Sequence, residues 1–232
     1  MTDLTAAEPQ TLTRNVYDRL RSDLLTARLA PGRKLPIRFL MERYEAGQTP
    51  IREALNRLSS EGWVDCHDQR GFAVAGISAA ELVELTRTRC WVEELALRHA
   101  MAAATPVWEE ELLLACHRLT RTRRSLTEAY AEHHEWERLH RALHRILLAP
   151  CDARPLLAFC DQLADRLYRY RQLSVRKIFP RRDINGEHQA MVKAVLDQDA
   201  DRAVTLLTSH YRQTADIILA DLTAAEGRPL RA

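Results

Sequence analysis

Nine histidines in 232 residues is a high count, and four of them stand where helical spacing would gather them. His140 and His144 are four residues apart, so on a helix both project from one face about a turn from each other. Trp136, Leu143 and Leu147 share that face, which makes it an inward one. His188 takes an apolar slot between Ile184 and the group Met191, Val192 and Val195, and His210 does the same among Val204, Leu207, Tyr211 and Ile217. A single histidine in such a slot is ordinarily a hydrogen-bonded core residue. Four converging from three helices are another matter, because burial without a shared partner leaves many ring nitrogens unsatisfied. One divalent transition metal satisfies them together, and imidazole suits zinc, nickel, copper or iron. His133, on nearly the same face as His140, is the nearest decoy. With His67, His99, His117 and His134, which have no such grouping, it reads as structural or surface.

These residues could belong to a helical-bundle metalloenzyme, but the chain lacks the two Glu-x-x-His units of a di-iron carboxylate bundle. No Ser/His/Asp or Cys/His grouping stands out either. The five cysteines (Cys66, Cys90, Cys116, Cys151, Cys160) are odd in number and never form a C-x-x-C pair. That pattern excludes a disulfide framework and a thiolate zinc site, leaving small buried hydrophobes in a reducing compartment. No apolar run approaches the ~20 residues that cross a bilayer, and Met1 to Gln10 has no basic-then-apolar leader. The expectation is a cytoplasmic protein with no membrane partner.

The elements that must position the histidines fall in the second part of the chain. Ser78-Ala79-Ala80-Glu81 is a capping box that opens a helix to about Ala104, and Thr105-Pro106 starts the next. Ser125-Leu126-Thr127-Glu128 is a second capping box, predicting a helix to about Leu148. After a break from Pro150 to Pro155, helices are expected over about 155–178, 181–196 and 199–225. Glycine is absent between Gly76 and Gly186, as an antiparallel bundle favours.

The first part reads differently. Residues 1–10 form a loose tail, and helices are predicted over about 12–27, 36–44 and 49–60, with turns at Pro31-Gly32 and Glu45-Ala46-Gly47. Trp63 to Cys66 and Phe72 to Ala75 are short β-prone pieces around a five-residue turn, a hairpin signal. Three helices and a two-stranded hairpin make a winged helix-turn-helix, so the fold class is mainly α: this unit over 11–77, then an all-α antiparallel bundle over 78–232. From Arg14 to Arg57 there are ten basic residues against five acids, nearly all of the former arginine, whose planar fork suits phosphate and guanine. In such a unit the second helix of the pair enters the major groove by its N-terminal end. Arg52 then reaches guanine or a phosphate, and Thr49 with the exposed N–H groups of the helix start suits a phosphate. Arg70-Gly71 at the wing tip can reach the minor groove.

Several strings here resemble one family. Leu29-Ala30-Pro31-Gly32, Thr49-Pro50-Ile51-Arg52-Glu53-Ala54-Leu55, Glu61-Gly62 and Arg70-Gly71-Phe72 look like the GntR DNA-binding domain, and the helical remainder looks like the FCD effector domain of its FadR-type branch. The resemblance covers nearly all of the chain after residue 10. It implies a transcriptional regulator, ordinarily a repressor, that acts as a homodimer on double-stranded operator DNA. It adds Arg38 to the DNA-contacting residues. Gln48 departs from the family's usual arginine, and glutamine pairs with adenine where arginine takes guanine. Arg43 and Arg57 read as a solvated face.

The same resemblance implies a metal site made of an Asp or Asn, a histidine four residues on, and two further histidines on the last two helices. The Leu156-Leu157 pair selects His140 and His144 over Trp136 and His140, so His140 occupies the Asp/Asn position. An all-histidine site shifts the expected metal toward zinc or nickel. The family's effector would be a small carboxylic acid at that metal. Arg89, on an inward face with Leu82, Leu85, Val92 and Ala96, could hold its carboxylate, although an i,i+4 pair with Glu93 suits it as well. Tyr170 is a further pocket candidate. A regulator with a purely structural metal and no effector is the remaining alternative.

Overall fold

The computed structural model describes residues 12–67, 71–126, 133–178 and 182–226. The chain divides into two compact units, residues 1–77 and 78–232.

In the first unit, α1 (Leu12–Leu25), α2 (Ile37–Tyr44) and α3 (Gln48–Ser60) precede β1 (Val64–His67) and β2 (Gly71–Val74). Apolar residues at three- and four-residue spacing put Val16, Leu20 and Leu24 of α1 against Ile51, Leu55 and Leu58 of α3, all fully buried. The turn between α2 and α3 passes through Glu45 in the left-handed region, φ 53°. The two strands pair antiparallel, Val64 opposite Val74 and His67 opposite Gly71. A third segment joins them. Gly32 N–H donates to the Val74 carbonyl, Leu35 N–H to Phe72, and Val74 N–H to Arg33. The expected two-stranded hairpin is therefore braced by the stretch after Pro31, which has no β pattern of its own.

The second unit is helical in all its regular elements among the described residues: α4 (Ala79–Ala102), α5 (Pro106–Arg121), α6 (His134–Leu148), α7 (Arg154–Ile178), α8 (Ile184–Leu196) and α9 (Ala200–Glu226). Ser78 caps α4 by accepting from the Glu81 N–H at 3.0 Å, as its capping box predicts. The second capping box does not start α6. Residue 133 is extended and serves as the cap before His134, while Thr127 and Glu128 lie outside the described residues. Asp183 caps α8 through the Gly186 N–H at 2.9 Å, and a Cβ on Gly186 would lie 2.4 Å from the Asp183 carboxylate. That glycine lets the cap close tightly just before Glu187 and His188. The core runs from Leu97 and Leu112 through Trp136 and Leu143 to Val195 and Leu207.

One buried charge ties the first unit together. The Asp23 carboxylate accepts from the Tyr44 hydroxyl at 2.9 Å and from Arg43 at 2.7 and 3.0 Å, joining α1 to the end of α2. Arg43 is thus a structural residue, as is Arg57, whose guanidinium lies 3.9 Å from the Tyr17 ring centre. Replacing Asp23 by Ala is expected to cost about 2 kcal/mol, the range for a buried charged hydrogen bond, read from urea unfolding. An unchanged midpoint would show that this network adds nothing.

Candidate metal centre and nucleic-acid interface

Helical geometry brings the four histidines together. His140 and His144 lie a turn apart on α6, His188 projects from α8 and His210 from α9. One ring nitrogen from each falls within 4.8 Å of the others. His144, His188 and His210 are buried and His140 is half-buried, stacked on Trp136 with ring centres 4.8 Å apart.

The groups behind the rings decide which nitrogens face inward. Glu93, 2% exposed, carries a carboxylate paired with Arg89 at 2.7 Å. It accepts the Tyr211 hydroxyl proton, so the Tyr211 oxygen is left to accept from His144 Nδ1, 3.0 Å away. On the other side Glu187 accepts from His210 Nδ1 at 2.8 Å and is itself held by Arg182 at 2.6 Å. Arg182 also donates to the His210 carbonyl at 2.9 Å. His188 Nδ1 is buried without a hydrogen-bond partner. In His144 and His210 these partners place the proton on Nδ1 and leave the Nε2 lone pair for the shared centre. His144 Nε2 and His188 Nε2 stand 3.4 Å apart. Tetrahedral zinc with bonds of 2.0–2.1 Å would separate its nitrogens by about 3.3 Å, so that edge fits a metal, while the widest separation, 4.8 Å, would close by about 1.5 Å on binding. Carboxylates behind metal-binding imidazoles are the usual second layer of such sites.

Burial, then the neighbouring rings and arginines, hold His140, His144 and His210 well below the ordinary histidine range. Burial also brings His188 down to about 4. Near pH 7 the cluster is therefore neutral and available as ligands.

A cavity of about 300 Å³ adjoins the rings, bounded by His140, His144, His210, Arg89, Glu93 and Tyr211. Arg89 reaches it while paired with Glu93, so the two readings of this residue coexist. Tyr170 does not line this cavity, and the sequence expectation is corrected here. Its hydroxyl accepts from the Ser78 N–H at 3.0 Å and donates to Glu81, fastening α7 to the first turn of α4. Tyr168, two residues earlier, faces the cavity instead. The sequence reading missed Glu187, Tyr211 and Arg182. The first two adjoin ligand histidines, a weak signal. Glu137 stands three residues before His140, one half of a di-iron motif, yet its buried carboxylate is taken by Arg171 at 2.9 Å.

The DNA-facing candidates sit together on the first unit. Gln48, Thr49 and Arg52 are exposed on the first turn of α3, anchored by buried Ile51. Gly47 caps that helix without a side-chain bond, leaving its first N–H groups open. Arg38 on α2 is 92% exposed, and its pair with Glu42 at 3.2 Å is a surface contact that costs little to break. Gly71 opens β2 at φ +79°, which a side chain would strain. Arg70 lies outside the described residues.

Comparison with known proteins matches both units. Residues 12–74 match the family described as bacterial regulatory proteins, gntR family, and residues 84–213 match the FCD domain. The chain is 30% identical over 213 residues to the HTH-type transcriptional regulator BphR of Paraburkholderia xenovorans, covering 91% of this chain and 87% of that one. It is 30% identical over 207 residues to the HTH-type transcriptional repressor GlaR of Escherichia coli, covering 87% and 93%. Among solved structures, E. coli McbR/YncC shares the fold with a TM-score of 0.75 at 22% identity, over 92% of this chain and 99% of that one.

The depressed histidines make a pH prediction. As pH falls, the unfolded chain takes up protons near 6.5, whereas folded His188 resists until about 4 and the other three are held well below the ordinary histidine value. The unfolded state binds more protons across that window, so stability falls as pH falls. Chelator-treated protein should show a lower urea midpoint at pH 5.0 than at pH 7.5. Equal midpoints would contradict burial of neutral imidazoles.

Proposed function

This chain belongs to the gntR family of bacterial regulatory proteins and is a DNA-binding transcriptional regulator with an FCD domain, and we propose that its helical unit holds a divalent transition metal and a small organic acid that controls operator binding. The observation that carries the reading is the convergence of one ring nitrogen from each of His140, His144, His188 and His210 within 4.8 Å inside a largely buried site. A cation at their centre would answer all four inner nitrogens at once. His140, His144, His188 and His210 would hold the ion, with zinc or nickel favoured by an all-nitrogen donor set. Four neutral ligands leave the ion's charge uncompensated, so the metal supplies a place for an anion beside the cavity. Arg89 and Tyr211 stand next to that place and orient a carboxylate there.

Two copies would present α3 of each to adjacent major grooves, with Arg38, Gln48, Thr49, Arg52 and the Arg70-Gly71 wing against the DNA. The setting is the cytoplasm, and no described helix is long and apolar enough to cross a membrane. Repression relieved by the acid is the mode favoured here, in keeping with the repressor among the relatives. The signal has a physical route within the second unit. α4 and α7 both line the cavity, and Tyr170 joins them at Ser78, where the chain comes from the DNA-binding unit. An acid that shifts α4 against α7 changes how that junction is held, and a coupling of about 1–3 kcal/mol suffices for regulation.

Fluorescence anisotropy on operator DNA tests the assignment. Arg52→Ala should weaken binding by about 5- to 150-fold, the cost of a lost base or phosphate contact. His188→Ala should lose bound metal and all response to acid while retaining operator affinity within about twofold of wild type. A variant that loses its metal yet responds normally to acid would contradict the reading. Tyr170→Phe should still bind acid, but with a smaller change in operator affinity. An undiminished change would remove Tyr170 from the route.

A further inference from the structure

We propose that the acid is a monocarboxylate with an apolar body, rather than the di- or tricarboxylate that an arginine-rich cavity first brings to mind. The inference rests on the reading that the site holds a metal and an acid, and it specifies the other end of that acid.

Five arginines line the cavity. Four are already matched: Arg89 to Glu93 and Arg145 to Asp161, each at 2.7 Å, Arg171 to Glu137 at 2.9 Å, and Arg141 to Asp165. The fifth, Arg124, lies over the Trp136 ring at 5.4 Å. Glu93, Glu137 and Asp165 are buried. Drawing Arg89, Arg141 or Arg171 onto a second carboxylate would leave Glu93, Asp165 or Glu137 buried without its partner, a strongly unfavourable exchange, and turning Arg145 to it at the mouth would set the new charge beside Asp161. Two of the acids, Glu93 and Asp161, are themselves part of the wall and repel a further negative group.

Much of the remaining wall is apolar: Leu148, Leu157, Leu167 and Ile218, with the rings of Trp136 and Tyr168. The Arg145–Asp161 pair, 58% and 44% exposed, marks the mouth, while Glu93 and the histidines mark the floor. One carboxylate at the floor, with carbon along the leucines, matches that polarity from end to end. A volume of about 300 Å³ admits a body of roughly a dozen non-hydrogen atoms, twice the benzene that an engineered 150 Å³ cavity holds.

Isothermal titration of the full-length, zinc-loaded protein, at two temperatures, with acetate, butyrate, hexanoate, phenylacetate, succinate and citrate separates the outcomes. Affinity should rise about fourfold for each methylene added from acetate to hexanoate, the increment for a buried methylene. Phenylacetate should bind at least tenfold tighter than succinate. Leu157→Asn should flatten the rise with chain length, costing hexanoate more affinity than acetate. Succinate or citrate binding tighter than hexanoate and phenylacetate would overturn the proposal and leave the metal-and-acid reading standing. Failure of every acid to bind zinc-loaded protein would overturn that reading as well.

Discussion

Imidazole can be buried cheaply only if both of its nitrogens are answered, and this chain buries His144, His188 and His210 with half-buried His140 against them. The outer nitrogens of His144 and His210 meet Tyr211 and Glu187, while that of His188 is buried without a partner. Their inner nitrogens meet one another. That arrangement governs the second unit, because α6, α8 and α9 must approach closely enough to share a centre, and α4 must bring Glu93 and Arg89 behind Tyr211. The tight cap on α8, which a side chain at Gly186 would obstruct, belongs to the same requirement.

The two units use charge in opposite ways. The helical unit buries its ions in matched pairs, Arg89 with Glu93 and Arg171 with Glu137, where each partner would be costly to leave alone. The DNA-binding unit keeps Arg38 and Arg52 in solvent, where contacts such as Arg38–Glu42 are easily exchanged for phosphate or base. Among its described residues the buried carboxylate is Asp23, which holds α1 to α2. Arginine is abundant in both units, and burial decides whether it fixes structure or stays available to a partner.

Much of the architecture was legible from periodicity and punctuation. Helical spacing alone placed His140, His144, His188 and His210 on inward faces, and the first capping box and the Thr-Pro start of α3 marked helix ends within a residue or two. What the sequence hid depends on tertiary neighbours. Segment 32–35 pairs with β2 through its backbone, so its side chains carry no β signal. The Ser125 capping box lies ahead of a helix that is capped by His133 and begins at His134. Tyr170 and Tyr168 are two residues apart on α7, about 200° around a helix, and a small error in facing exchanged the anchoring tyrosine for the cavity one. Glu93 reaches the histidines through Tyr211, 118 residues away in sequence, and no local pattern announces such a contact.

The central claim is that one metal ion is held by the imidazoles of α6, α8 and α9. X-ray absorption spectroscopy at the metal edge of zinc-loaded protein addresses it most directly. The account predicts three to four imidazole nitrogens at about 2.0–2.1 Å, as in histidine-bound zinc, with loss of that signal in His144→Ala. A spectrum dominated by oxygen or sulfur ligands, or an unchanged spectrum in the variant, would contradict it.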